Sequence, residues 1–232
     1  MAPEIIEIVL PIALKEVYDI VTPSFTAETG HELSVALMLN PEVPGYIANG
    51  ASWSIALSNP SYIRKIVDAG GCSRDGLIDL GSSPLCLAVR GDSTEFPLRD
   101  PEEIAAFLVE AETIAITASG TSGAQFAKLT NSLNITEKMR EKLRPMPGGG
   151  PMTSLQNGEV GVAALPLTNV APVPGVFAKF ICPLEMGVHI DLAYCVAAHA
   201  NTATRHFSDW LMEPERVAQL ADLGLIGQVS TV

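Results

Sequence analysis

The sequence predicts an α/β fold, in which mostly parallel sheets are covered by helices on both faces. Short apolar segments alternate with segments of helical spacing along all 232 residues. The connections between them are short and rich in glycine, proline and small polar residues. With 47% hydrophobic and 17% charged residues, the chain is long and apolar enough to fold around a sizeable core.

The first third of the chain contains three predicted pairs of a strand and a helix. The apolar, β-branched segments predict strands at 7–10, 33–39 and 53–57. Apolar residues three and four apart predict helices at 14–25, 43–49 and 62–69. Glycines follow each of these helices, as expected where the chain must adopt a positive φ to leave a helix.

The rest of the chain continues the alternation. Strands or extended segments are predicted at 85–89, 113–116, 160–164, 177–183 and 191–198. Helical segments are predicted at 101–111, 125–133, 137–143, 152–157, 204–211 and 214–223. The helix at 101–111 carries the clearest start signal, because Asp100 can cap it and Pro101 fits its first turn.

Charge and hydropathy exclude several classes of partner. The net charge is -12 and no run of lysine and arginine occurs, so we expect neither nucleic acid nor an anionic membrane as partner. The apolar N-terminal stretch is short, is interrupted by Glu4 and Glu7, and follows no basic segment. It therefore predicts neither a signal peptide nor a membrane span. We expect a cytoplasmic protein, or a periplasmic or secreted one if a leader has been removed.

The cysteines and histidines indicate no metal site and no cofactor. The four cysteines, Cys72, Cys86, Cys182 and Cys195, show no CxxC spacing, and three lie in apolar surroundings. We expect buried, reduced thiols. A bridge between Cys86 and Cys195 remains open at this stage.

The segment ITASGTSGAQFAKL, at 116–129, contains the most informative loop. Ser119, Gly120, Thr121, Ser122 and Gly123 stand between a predicted strand and a predicted helix. The first amides of a helix have no intrahelical partner, and the helix dipole favours an anion there by roughly 0.3–2 kcal/mol. The loop therefore predicts an anion site. The alternative is an ordinary capping turn with Ser119 or Thr121 as the cap.

A second turn of the same kind occurs near the N-terminus, in VLPIALKEV at 9–17. Lys15 lies in the first turn of the predicted helix, where a cation opposes the helix dipole. Lys15 could face an anion that this helix end attracts, or it could be a solvated surface lysine.

Several segments, in order, resemble the type-2 periplasmic-binding-protein fold and, within it, the molybdate-binding-protein-like superfamily. They are VLPIALKEV (9–17), FTAETGHELSV (25–35), IANGASWSIALSNPSYI (47–63), SGTSGAQFAKL (119–129), PGGGPMTSLQNGEVGVAALPLTNVAPVPGV (147–176) and PLEMGVHIDLAYCV (183–196). The most similar subgroup consists of small substrate-binding-domain proteins, many without a leader, whose relatives include aconitate isomerase.

The resemblance implies two lobes, each a mostly parallel sheet flanked by helices, with a ligand cleft between them. Lobe I would contain residues 1–83 and 192–232, and lobe II residues 84–191. The chain would thus cross between the lobes twice.

The resemblance also places candidate ligand-binding residues. Molybdate binders usually have serine where this chain has Ala13, and a serine-rich loop where it has Asn40. Other departures are Trp53-Ser54, Leu165-Pro166, Thr168-Asn169 and His189. The predicted ligand site comprises the following residues: Ala13, Asn40, Trp53, Ser54, Ser119, Gly120, Thr121, Ser122, Gly123, Met152, Leu165 and Thr168.

These departures remove oxyanion donors and leave apolar surfaces. We therefore expect a small organic acid rather than molybdate. One hypothesis is an isomerase or related proton-transfer enzyme acting on an unsaturated carboxylate, in which His189, or less readily Lys15, moves the proton. The alternative is a non-catalytic receptor that delivers its solute to an ABC permease.

Overall fold

A computed structural model of the chain describes residues 3–73, 76–91 and 97–227. Its strands, in order, are β1 (Ile5–Pro11), β2 (Glu32–Met38), β3 (Ile55–Ser58), β4 (Ile78–Arg90), β5 (Ile114–Thr117), β6 (Leu143–Met146), β7 (Val162–Pro166), β8 (Val176–Ile181) and β9 (His189–Val196). Its helices are α1 (Lys15–Thr29), α2 (Val43–Ala48), α3 (Pro60–Asp68), α4 (Pro101–Glu110), α5 (Thr121–Ser132), α6 (Thr136–Met139), α7 (Gly150–Asn157), α8 (Thr202–Leu211) and α9 (Pro214–Asp222). The predicted α/β class is confirmed.

The chain divides into two compact units. The first unit consists of Met1–Ser82 and Asp191–Val232, and the second of Ser83–Ile190. The chain leaves the first unit within β4 and returns to it within β9. The first unit is therefore built from both ends of the sequence.

The sheet of the first unit has the strand order β2-β1-β3-β9. Strand β1 runs parallel to β2, from Ile5 opposite Glu32 to Pro11 opposite Met38, and parallel to β3. Strand β9 is antiparallel to β3. Because β1, β2 and β3 are parallel, their carboxyl ends and the turns that follow them lie at one edge of the sheet.

Helices α1, α8 and α9 of the first unit share a polar contact at Glu28, whose side chain is half exposed. The Glu28 carboxylate accepts hydrogen bonds from Trp210 Nε1 at 3.0 Å and from Arg216 at 3.2 Å. The Arg216 guanidinium also lies 4.6 Å from the centre of the Trp210 ring. One carboxylate thus joins three helices, and Phe25 of α1 packs against Phe207 and Trp210 of α8.

The second unit has the strand order β8-β4-β7-β5-β6. Strand β5 runs parallel to β6 and β7, whereas β4 is antiparallel to β7 and β8. Helix α5 buries Phe126 and Leu129 in one apolar cluster, and α7 buries Met152 and Leu155 in another. Neighbouring residues of β5 join different clusters, so α5 and α7 cover opposite faces of this sheet.

One strand of the second unit was not predicted. The sequence predicts a helix up to residue 143, but α6 ends at Met139 and β6 occupies Leu143–Met146. Arg144 and Pro145 are untypical of a strand, yet β6 is the last strand of its sheet, where a missing amide is tolerated. Among the described residues, no helix combines the length and apolar character that a membrane crossing requires.

Candidate functional site

Two helices begin at the carboxyl edge of the parallel strands in the second unit. Helix α5 starts at Thr121, four residues after β5 ends, and α7 starts at Gly150, four residues after β6 ends. The amide of Ala118 donates to the carbonyl of Met146 at 2.8 Å and so ties the two turns together. Carboxyl edges of this kind are where α/β sheets bind their ligands.

The first turn of α5 packs directly on the end of β5, and only glycine allows this. A Cβ built on Gly123 would lie 2.1 Å from the carbonyl oxygen of Thr117. Gly120 occupies the N-cap position and has no side chain to cap the helix. Ser119 is exposed, and Gly120 and Thr121 are half-buried. The backbone of this turn can therefore be approached from solvent.

Electrostatics favour an anion at the turn Ser119–Gly123. The helix dipole concentrates partial positive charge at the first amides of α5. The first turn contains no acidic side chain that would already occupy this position. A carboxylate could accept hydrogen bonds there, with the exposed hydroxyl of Ser119 as a further donor.

Four of the predicted ligand residues in this unit are largely buried. The Ser122 hydroxyl donates to Thr117 Oγ1 at 3.2 Å, and the Thr168 hydroxyl lies 3.1 Å from that of Ser83. Met152 and Leu165 belong to the apolar cluster beneath α7. The roles of these residues in ligand binding remain predictions. In the turn Ser119–Gly123, the accessible residues are 119–121.

The carboxyl edge of the first unit brings together Ala13, Asn40, Ser58 and Asn59. Ala13 lies in the short 3-10 turn between β1 and α1, and Asn40 lies in the one after β2. The Ser58 hydroxyl donates to the backbone and side-chain oxygens of buried Asn40, at 3.0 and 3.1 Å. Asn59 precedes α3 and donates through Nδ2 to the backbone oxygen of Asp191 at 2.7 Å.

Trp53 and Ser54 lie at the other edge of that sheet. They precede β3, and the Ser54 amide donates to the carbonyl of Glu7 near the start of β1. Trp53 is 5% exposed and packs in an apolar cluster with Val43 and Ile66. The structure thus does not bring Trp53 and Ser54 together with Ala13 and Asn40.

Sequence reasoning missed Ser58 and Asn59, although a signal was present. Pro60 takes the first turn of α3, and the residue before such a proline is an expected helix cap. The segment Ser58-Asn59-Pro60 therefore marks the end of a strand and the start of a helix, and Ser58-Asn59 lies five positions after Trp53-Ser54.

The two predicted proton carriers have different surroundings. Lys15 is exposed, and its Nζ lies 2.6 Å from Asp19 Oδ2. The hydrogen bond to Asp19 raises the pKa of Lys15, so the amine remains protonated and is unsuited to act as a base. His189 is half-buried and is the first residue of β9. Of the two candidates, His189 is therefore better suited to accept a proton.

No metal centre is apparent in the described residues. There, His, Cys, Asp and Glu side chains form no group of three or more suited to a metal ion.

Comparisons with known proteins place the chain among binding proteins. Residues 6–225 match the family described as bacterial extracellular solute-binding protein. An aconitate isomerase from a Pseudomonas species is 24% identical over 214 residues, which cover 88% of this chain and 81% of that enzyme.

Solved structures show the same fold. The periplasmic molybdate-binding protein of Azotobacter vinelandii superposes with a TM-score of 0.80 and 15% identity, over 96% of this chain and 99% of that one. PEB3 with bound L-phospholactate superposes with a TM-score of 0.66 and 10% identity, over 96% of this chain and 100% of the other. PEB3 is a Campylobacter jejuni protein. At these identities the likeness concerns the fold alone.

Proposed function

The chain belongs to the family of bacterial extracellular solute-binding proteins, and from this premise we propose that it binds a small organic acid. The carboxylate of this acid lies at the first turn of α5. The observation that carries the proposal is the turn Ser119–Gly123, in which Ser119 is exposed, Gly120 and Thr121 are half-buried, and Gly123 lets the first turn of α5 lie close to β5. The helix dipole and the first amides of α5 stabilise the negative charge.

The supply of donors favours an organic acid over a tetrahedral oxyanion. An oxyanion taken out of water needs hydrogen bonds to all of its oxygens, because each unsatisfied charged oxygen is costly. At the carboxyl edge of the second unit, β7 ends at Pro166, which lacks an amide. The hydroxyl of Ser122 is already bound to Thr117. A carboxylate with an apolar body needs donors at one end only.

A thermal-shift panel tests this proposal. The panel contains molybdate, sulfate, phosphate and a series of saturated and unsaturated mono- and dicarboxylic acids. We expect at least one organic acid to raise the midpoint of thermal unfolding in a concentration-dependent way, because a ligand that binds only the folded state stabilises it. A shift with molybdate or sulfate and none with any organic acid would contradict the proposal.

Proton transfer on the bound acid is a second candidate function. The similarity to an aconitate isomerase along most of the chain favours it. In this mechanism His189 removes a proton from the α carbon of the acid, or from the γ carbon on the far side of the double bond. The amides of α5 stabilise the negative charge that moves onto the carboxylate. The proton then returns to the other carbon, which completes the isomerisation.

Isotope exchange tests this second candidate. In deuterium oxide, we expect the wild type to introduce deuterium into an unsaturated acid that binds, as detected by mass spectrometry. The variant His189→Gln should slow this exchange by about 100-fold or more, whereas Lys15→Met should retain it. Exchange that is equally fast in all three proteins would exclude His189 as the proton carrier.

A non-catalytic receptor for an oxyanion remains the alternative, favoured by the likeness to the Azotobacter vinelandii molybdate-binding protein. Such a receptor would act outside the cytoplasm and deliver its solute to an ABC permease. The isomerase proposal instead includes a cytoplasmic location. The thermal-shift panel separates the two, because the receptor alternative requires the response to an inorganic oxyanion.

A further inference from the structure

Two of the four cysteines lie side by side in the first unit. Cys72 faces Ala197 in an isolated antiparallel bridge, flanked by hydrogen bonds from Ser73 to Val196 at 2.7 Å and from Ala198 to Gly71 at 2.9 Å. Cys195 precedes Ala197 by two residues and therefore points to the same face of the strand. Cys72 packs against the same apolar cluster that contains Cys195.

The other two cysteines have no such arrangement. Cys86 and Cys182 belong to the second unit and contribute to different apolar clusters. The Cys86 thiol donates to the carbonyl of Leu165 at 3.3 Å. The sequence left a bridge between Cys86 and Cys195 open. The positions of the thiols instead favour a pair of Cys72 and Cys195.

We propose that Cys72 and Cys195 are an oxidisable thiol pair, which closes to an intrachain disulfide on reaction with a small disulfide such as glutathione disulfide. This site is independent of the proposed ligand site at α5. The four cysteines are free thiols in the structure. The proposal therefore concerns a reaction that the folded protein undergoes.

Cys72 is the thiol that reacts first. Cys72 is half-buried, whereas Cys195 is fully buried. The hydrogen bond from Cys195 lowers the pKa of Cys72 and so favours the thiolate, which is the attacking species. Burial raises the pKa of Cys182 to about 12 and raises the pKa of Cys86 further, so both remain protonated.

The reaction balances in two exchange steps. The Cys72 thiolate attacks one sulfur of glutathione disulfide, the S–S bond breaks, and one glutathione thiolate leaves with the bonding electrons. Cys195 then loses its proton and attacks the Cys72 sulfur of the mixed disulfide, and the second glutathione leaves. The two cysteines are oxidised by two electrons, and one glutathione disulfide is reduced to two glutathione molecules.

The second step is favoured once Cys72 has reacted. The hydrogen bond to Cys72, burial, and the charge of Cys72 together raise the pKa of Cys195 strongly. The first and last of these causes depend on the Cys72 thiolate, which the mixed disulfide no longer carries. Cys195 can then ionise more readily, directly beside the sulfur that it attacks.

The backbone around Cys72 can supply the small approach that a disulfide needs. Diagonal neighbours of an antiparallel pair have Cα atoms about 7–8 Å apart, whereas a disulfide joins Cα atoms about 4.4–6.8 Å apart. Cys72 follows Gly70 and Gly71, and the atoms nearest to a Cβ built on Gly71 belong to Trp53 and Ile66, at 3.5 Å or more. Among the described residues, this segment is joined to the chain just after β9 by one isolated bridge, between Cys72 and Ala197, so a shift of Cys72 disrupts no extended strand pairing there.

The disulfide would close a loop that contains the whole second unit. Cys72 precedes the point at which the chain leaves the first unit, and Cys195 follows the point of its return. A cross-link over so long a loop restricts the unfolded chain more than the folded one. The oxidised protein should therefore unfold several degrees higher than the reduced protein.

Mass spectrometry of the intact, folded protein after incubation with glutathione disulfide tests the proposal. We expect the mass of the wild type to fall by two hydrogens. A tryptic peptide that joins Cys72 to Cys195 should appear, and dithiothreitol should reverse both changes. The variant Cys195→Ala should instead retain one glutathione on Cys72, and Cys72→Ser should remain unmodified. Cys182→Ala is the matched control and should behave as the wild type does.

Three outcomes would overturn the proposal. They are a stable glutathione adduct on Cys72 of the wild type, a disulfide that includes Cys86 or Cys182, and no mass change under conditions that modify the urea-unfolded protein. The wild-type measurement alone distinguishes them, so the test does not depend on the folding of the variants.

Discussion

Replacing Gly123 by alanine is expected to lower the free energy of unfolding by roughly 3 kcal/mol or more, because overpacking and a lost buried hydrogen bond each cost about 1–3 kcal/mol. The new methyl group would lie 2.1 Å from the carbonyl oxygen of Thr117. The first turn of α5 must therefore move away from β5 or unwind. Either change breaks the hydrogen bond from Ser122 Oγ to Thr117 Oγ1, whose length is 3.2 Å.

Gly161 provides the matched control in the same unit. No described atom lies within 4 Å of a Cβ built on Gly161. Gly161→Ala should therefore leave stability within about 1 kcal/mol of the wild type, or raise it slightly by restricting the unfolded chain. Urea-induced unfolding followed by circular dichroism measures both variants. Equal unfolding midpoints for Gly123→Ala and Gly161→Ala would show that α5 does not pack on β5 in this way.

The importance of Gly123 illustrates what the sequence can and cannot predict about the site. The sequence predicts a turn of small residues between a strand and a helix, and β5 and α5 confirm that order. It places the helix start at residue 125, whereas α5 begins at Thr121. Serine, threonine and glycine have low helix propensity, but the first turn of a helix tolerates them.

The buried side of the turn could not be predicted. Ser119 and Ser122 are both serines of the same turn, yet Ser119 is exposed and Ser122 is buried against Thr117. Which of two serines faces solvent depends on how the helix packs on the sheet, and that packing is a tertiary property. The same reason applies to Thr168, whose hydroxyl contacts Ser83, 85 residues earlier in the chain.

Trp53 shows a limit of reasoning from resemblance. The resemblance places Trp53-Ser54 at the ligand site, and this role stays a prediction; these residues precede β3, whereas Ala13 and Asn40 follow the carboxyl ends of β1 and β2. The register between β1 and β3 decides this, with Ile8 opposite Ile55. Because this register fixes which residues of β3 lie at its carboxyl end, an alignment shifted by a few positions selects different residues.

The variant Ser119→Glu should lose most of its affinity for the organic acid. The new carboxylate would lie beside the first turn of α5, where the proposed ligand places its own negative charge. Two like charges about 4 Å apart repel by roughly 1 kcal/mol in water and roughly 4 kcal/mol near a protein surface. We therefore expect the dissociation constant to rise by about 30-fold or more, since 1.4 kcal/mol corresponds to about tenfold.

Stability should change little in the same variant. Ser119 is exposed, and an acidic side chain near the start of a helix interacts favourably with the helix dipole. Ser119→Gln is the matched control, because glutamine has nearly the size of glutamate without its charge. It should retain most of the affinity of the wild type.

Isothermal titration calorimetry of the wild type, Ser119→Glu and Ser119→Gln is the most direct test of carboxylate binding at α5. The titrant is the organic acid that gives the largest shift in the thermal panel. We expect similar dissociation constants for the wild type and Ser119→Gln, and a rise of about 30-fold or more for Ser119→Glu at an unchanged unfolding midpoint. Equal affinities in Ser119→Glu and Ser119→Gln would contradict it.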